Sequence, residues 1–249
     1  MRKDIVSVLI AVAIAVALAL PAAADDLSLQ VIRATEAKTL DVGSGVKTIS
    51  FEGLRGNVTV EGWDKPQVEV TIIKSTTGLY DPKQHPEAKL LLDAIKVAPE
   101  TRQDAVVITT NIPEHDRNKV RVEYEVKAPR GMKVEVGRKS EGDVYITGMS
   151  ADIAVTTRHG TITVDTPAEA RYSIDAHTQY GDVFSDFEGQ DRRHRLFHHD
   201  FTGGDAPSTA TGAENKLLLR AEIGDIVILK THAPHGETPL DAPKASGGQ

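Results

Sequence analysis

The sequence predicts an all-β protein: a β-solenoid or β-helix-like stack of repeats of about 19 residues, with an inserted strand-helix-strand region. Three observations predict it. One pattern returns five times: apolar-x-apolar, a gap, a glycine with a small polar residue, then apolar-x-apolar again. Each half of the pattern alternates with a period of two, as a strand with one buried face must. The spacing is also regular, with first strands beginning at 134, 153 and 172. Two short strands cannot close a core alone, so each unit needs neighbours stacked against it. The alternative is a β-sandwich of hairpins, because Gly-Asp and Gly-Asn also suit a II′ turn.

In chain order, Arg2 and Lys3 precede an uncharged apolar run over 5–20, followed by Pro21, three alanines and two aspartates. That order reads as a secretory signal peptide over 1–24, too short to span a bilayer. The mature chain is therefore expected to be exported, periplasmic or extracellular, with no integral membrane segment after cleavage. A β-strand-repeat domain is expected over 25–230. Its first copy runs from Ile49-Ser50-Phe51 to Gly56-Asn57-Val58-Thr59-Val60. An insertion over about 61–133 carries strands at 68–72, 105–108 and 120–128 and a helix over 86–95, with Pro86 tolerated in the first turn. The next copies pass through Gly142-Asp143-Val144, Gly160-Thr161-Ile162 and Gly181-Asp182-Val183. A charged, His-bearing stretch over 186–213 reads as an excursion, and the last copy passes through Gly224-Asp225-Ile226. The Pro/Gly-rich segment 231–249 reads as a disordered tail.

At each corner the glycine supplies positive φ or close backbone approach. The Asx beside it is expected to bond its own backbone and hold the turn. The structural turn residues are thus Gly56, Asn57, Gly142, Asp143, Gly160, Gly181, Asp182, Gly224 and Asp225.

Composition bounds the function. Of 249 residues, 40% are hydrophobic and 26% charged, which disfavours both wholesale disorder and a multi-pass membrane protein. The net charge of -7 disfavours nucleic acid as a partner. With no cysteine there is no disulfide, thiolate metal site, thiol nucleophile or lipid-modified N-terminal cysteine.

Together the turn series, the segment Gly56–Asp64 and the alternating strand that runs into Pro129-Arg130-Gly131 resemble the bacterial putative-adhesin family of β-strand-repeat domains, a family of unknown function. The resemblance covers roughly 40–230 and implies a β-solenoid-like fold with no established enzyme activity. Family members commonly carry Asn-Gly-Asp-type turns, whereas here the residue before glycine is Glu141, His159, Tyr180 or Ile223.

Candidate chemistry is sparse. His194, His198 and His199 are the one cluster of metal-ligand type, and His194 and His198 would share a face if the stretch were helical. Arg192, Arg193 and Arg195 beside them would repel a cation, so no metal or other cofactor is expected, and a polar loop charging below about pH 6.5 is the simpler reading. Asp143, Asp182 and Asp225 would line one corner, yet a turn aspartate is expected there anyway. Thr156, Thr157, Thr161 and Thr163 suit a flat threonine face, though threonine is also a good strand residue. Trp63 is expected to pack beside Pro66. The functional expectation is an exported, non-catalytic protein with a structural or interaction role in the cell envelope, binding an envelope protein or glycan. The alternatives are a carbohydrate-active enzyme on a β-helix scaffold and a His-rich metal- or pH-responsive module.

Overall fold

The computed structural model describes residues 29–43, 45–167, 170–194, 198–205 and 215–231. The expected signal peptide and all of the expected tail except residue 231 lie outside them.

Four strands open the described chain: β1 (Arg33–Asp41), β2 (Thr48–Glu52), β3 (Val58–Trp63) and β4 (Gln67–Thr76). After α1 (His85–Asp93) come β5 (Lys96–Arg102), β6 (Ala105–Asn111) and β7 (Val120–Pro129). The repeats then supply β8 (Lys133–Glu141), β9 (Val144–Thr147), β10 (Ile153–His159), β11 (Ile162–Thr166), β12 (Tyr172–Tyr180) and β13 (Val183–Ser185). The last four are β14 (Gly189–His194), β15 (His198–Gly204), β16 (Asn215–Ile223) and β17 (Ile226–Lys230).

These strands make two open, mixed sheets. The order in one is β1-β4-β7-β3-β9-β11-β17-β13 and in the other β14-β15-β12-β16-β10-β8-β2-β6-β5. The fold is all-β and sandwich-like, with one apolar core. Hairpins do not form at the glycine turns. Each first half-repeat lies in the nine-stranded sheet, each second half in the eight-stranded one, and neighbouring copies pair parallel.

The period-2 alternation fills the core in columns. Ile49, Val134, Ile153, Leu217 and Ile174 are register partners along one sheet. Val58, Val144, Ile162, Ile226 and Val183 are partners along the other. All ten side chains are buried. Because Ile174 rather than Tyr172 falls in the column, the even step read at 134, 153 and 172 does not continue. The pairing of β10 with β8 also carries register shifts.

Chain order and spatial order differ. β16 and β17 lie between the third and fourth copies, separating β10 from β12 and β11 from β13. Strands of the segment 61–133, expected as an insertion, join both sheets. β6 pairs parallel with β2 and β7 with β3, adding another layer, while β4, β1 and β5 extend the sheets antiparallel. α1 falls where a helix is expected and buries Ala88 and Leu92. Beside it the buried Lys74 ammonium donates to Glu36 Oε1 at 2.6 Å and to the Ile95 carbonyl at 3.0 Å, so its charge is partnered rather than stranded. The segment 186–213 contributes the hairpin β14–β15, which continues the sheet antiparallel from β12.

The four sheet edges are guarded in three ways. β5 carries Pro99, β14 is exposed throughout and carries Asp191, Arg192 and Arg193, and β13 is three residues long. The fourth edge, β1, carries Arg33, Glu36, Lys38 and Asp41. Short, charged or proline-bearing edges resist pairing with another chain.

Candidate functional site

The five glycine turns form one column, in the spatial order Gly56, Gly142, Gly160, Gly224, Gly181. A Cβ on any of the last four would lie 2.2 Å from the carbonyl oxygen of the preceding glycine in that column. Gly160 also has φ +126, a conformation that an L side chain rarely adopts. The main-chain ladder continues through the turns. Gly142 N–H donates to His159 O at 2.7 Å, Gly160 N–H to Ile223 O at 3.0 Å, and Gly224 N–H to Tyr180 O at 2.8 Å. Only the carbonyl of the residue before each glycine is used in this ladder. That explains why Glu, His, Tyr and Ile are all accepted there.

The Asx side chains bond across copies, not to their own backbone as expected from the sequence. Asn57 Oδ1 accepts from Asp143 N–H at 3.1 Å, Asp143 Oδ1 from Thr161 N–H at 2.8 Å, and Asp225 Oδ1 from Asp182 N–H at 2.8 Å. Each is a rung between neighbouring turns. Asp182 takes Arg193 at 2.8 Å instead. Asp143→Ala should therefore cost about 0.5–1 kcal/mol, the net value of one hydrogen bond. Asp143→Asn keeps an acceptor and should stay near wild type in urea melts. Equal losses in both variants would show that charge, not the rung, is what matters.

The three histidines singled out in the sequence are brought together, but on strands. His194 and His198 are cross-strand partners in β14 and β15. His199 points to the other side and is 2% exposed. Its Nδ1 accepts from Val183 N–H at 2.9 Å, which assigns the proton to Nε2, donated to Asp191 Oδ1 at 2.6 Å. His199 thus covers an edge N–H of β13.

On the outer face the cluster gains members that the sequence reading missed. His177 of β12 hydrogen-bonds Asp200 and stacks on His198, with ring centroids 6.0 Å apart. His194 Nε2 lies 3.5 Å from the second Asp200 oxygen, and Arg220 pairs with Asp175 alongside. The His177 hydrogen bond, aided by the charges of His177, His194 and Arg220, holds the Asp200 carboxyl below its usual range. Period-2 spacing puts Asp175 and His177 outward on β12, but nothing local reveals their neighbours. Among the described residues no group of three His, Cys, Asp or Glu could hold a metal ion.

The four threonines do not share a face. Thr157 is buried, donating to Ser140 O and His159 O. Thr156 belongs to the nine-stranded sheet and Thr163 to the eight-stranded one, while Thr161 lies in a turn. Trp63 donates its indole N–H to Gln67 O at 2.8 Å, with the Lys65 ammonium 4.7 Å above the ring.

No family model matches the chain, and no curated protein matches it. Several solved structures are similar. A putative cell adhesion protein from Clostridium sporogenes has 12% identity over 80% of this chain and 100% of its own, with a TM-score of 0.43. A putative adhesin from Bacteroides fragilis has 12% identity over 82% and 99%, with a TM-score of 0.30. A putative lipid binding protein from Parabacteroides distasonis has 10% identity over 61% and 70%, with a TM-score of 0.26.

Proposed function

We propose that the chain is an exported, non-catalytic β-repeat protein with a structural or adhesin-like interaction role in the cell envelope. In this reading its repeats act as a solenoid-like stack that presents outward side chains to an envelope protein or glycan. The observation that carries it is the glycine column. Backbones in van der Waals contact from turn to turn, bonded by main-chain rungs, leave little freedom for the strands between them. The outward positions are then held in a fixed array without being needed for folding. The guarded edges favour contact through side-chain faces over addition of a partner strand. Use of the turn aspartates as rungs supports scaffolding over the paired-acid chemistry of a glycosidase.

The test has two parts. N-terminal sequencing of the protein expressed in a bacterial host should find the chain starting at Asp25 in an exported fraction. Photo-crosslinkers placed in intact cells at Phe184 or Leu218, exposed residues of the two different sheets, should capture a partner reproducibly from one face and not the other. Retention of Met1 in the cytoplasm, or no face-specific capture, would overturn the reading.

A further inference from the structure

Beside the glycine column, at the end capped by β6 and β7, lies a cleft of about 400 Å³ lined by Arg55, Arg117, Arg158, Glu141, Thr110 and Asn111 among others. That volume falls within the range of small-ligand sites. Three arginines and one glutamate line it, in a protein whose net charge is -7. The arginines come from separate elements: Arg55 and Arg158 flank the first and third glycine turns, and Arg117 follows the 3₁₀ turn Glu114–Asp116.

These three arginines are loosely held. Arg55 approaches Glu141 at 3.3 Å and Arg158 approaches it at 3.9 Å. Arg158 also lies 3.8 Å from Glu222, and Arg117 lies 4.0 Å from the exposed Glu114. None of the three donates a side-chain hydrogen bond within the described chain. Arg130, Arg192 and Arg220 do, at 2.8, 2.6 and 2.8 Å. Each guanidinium offers five N–H donors in a rigid fork that matches an oxyanion. Convergent, unspent donors of this kind form a receptor for an anion.

We propose that this cleft binds an acidic sugar unit, a polyhydroxylated ring bearing an oxyanion. The anion would take the arginine forks of Arg117 and Arg158, the strong, charge-assisted kind of contact. Ring hydroxyls would meet Glu141 and Asn111, which supply both acceptors and donors, while the Thr110 hydroxyl in the wall is taken by Tyr124. Glu141 gives the site its selectivity. It offsets part of the positive charge, so a bare anion gains little, while an anion that also carries hydroxyls recovers hydrogen bonds from it. The inference rests on the interaction reading above and specifies its ligand class.

The test is calorimetric titration of the full mature chain with a glucuronate oligosaccharide, a glucose oligosaccharide of equal length, glucose 6-phosphate and acetate. Glucuronate should bind and glucose should not, with affinity falling as salt rises. Glucose 6-phosphate binding as well would assign the site to sugar oxyanions generally, and its failure would restrict the site to carboxylates. Arg117→Ala and Arg158→Ala should each weaken binding roughly tenfold, about 1.4 kcal/mol. Arg102→Ala, an exposed arginine paired with Glu100 elsewhere, should leave it unchanged. Equal binding of glucose and glucuronate, acetate binding as well as glucuronate, or indifference to Arg117 and Arg158 would overturn the assignment. If neither acidic sugar binds but face-specific crosslinks persist in cells, the acidic-sugar site falls and the interaction role stands; if the crosslinks vanish too, both fall.

Discussion

Gly160→Ala should destabilise the protein by about 2–6 kcal/mol, a large share of the stability of an ordinary domain. Two costs add. The residue has φ +126, and holding alanine in such a region costs on the order of 1–3 kcal/mol. The new methyl would also lie 2.2 Å from Gly142 O and 2.4 Å from its carbonyl carbon, with no flexible side chain to yield. Either the turns separate, straining the rung from Asp143 to Thr161 N–H, or the backbone distorts, a further cost of roughly 1–3 kcal/mol. Gly131→Ala is the control. No atom lies within 4 Å of its Cβ position and its φ is not positive, so the change should be within about 0.5 kcal/mol of wild type. Urea melts of the two variants give the comparison directly. If both shift the midpoint equally, the close contact in the glycine column is wrong.

The second large effect is a steep loss of stability in alkali. Tyr124 is 1% exposed and Tyr172 is 0% exposed. Burial pushes both phenols above their ordinary value of 10.0 by disfavouring the phenolate. The negative charge of Asp152 adds to the rise at Tyr172, whereas the Thr110 hydrogen bond opposes it at Tyr124. Tyr172 donates its hydroxyl proton to Met149 O at 2.7 Å, a bond that a phenolate would lose.

With folded-state pKa values above the unfolded one, the native state keeps two protons that the unfolded chain gives up. Their contribution is fully present below about pH 10 and is lost as pH rises through the native values. The slope approaches 2.7 kcal/mol per pH unit for the pair, twice the 1.36 of a single group. Urea midpoints from pH 8 to pH 11 should be level at first and then fall. Tyr172→Phe should halve the slope, and at neutral pH it should cost about 1–2 kcal/mol by leaving Met149 O without its donor. A flat profile through pH 11 would show that these rings are not sealed from water.

Much of the fold is legible in the sequence, and particular residues show where legibility ends. The strand over 120–128 and the helix over 86–95 are found nearly where the sequence puts them, because each carries a strong local period. β1 escaped notice because Arg33–Asp41, at the rim of its sheet, has little apolar alternation to read. His194 and His198 are four apart, a spacing that fits one helix face and equally the two sides of a hairpin. The three residues between them, Arg195-Leu196-Phe197, are too few to display either period, and the structure pairs the flanking strands β14 and β15 antiparallel. The candidate sites are harder still. His177 meets Asp200 across 23 residues, and Arg55 meets Glu141 across two different turns.

What the sequence determined by itself is which side of each repeat strand is buried and where the chain turns. Both follow from rules acting over a few residues: alternation on a pleated strand, and the backbone freedom of glycine. Which copy lies against which was decided only in the tertiary structure. Apolar columns and main-chain ladders are satisfied equally well by any copy in register, whatever its place along the chain. The long stretch between Ser185 and Asn215 let the last copy reach the gap beside β10, leaving β12 outermost among the repeats and free to receive the β14–β15 hairpin. The Asx rungs, the His177–Asp200 pair and the arginine cleft exist because of that arrangement, since each joins groups that no local rule brings together.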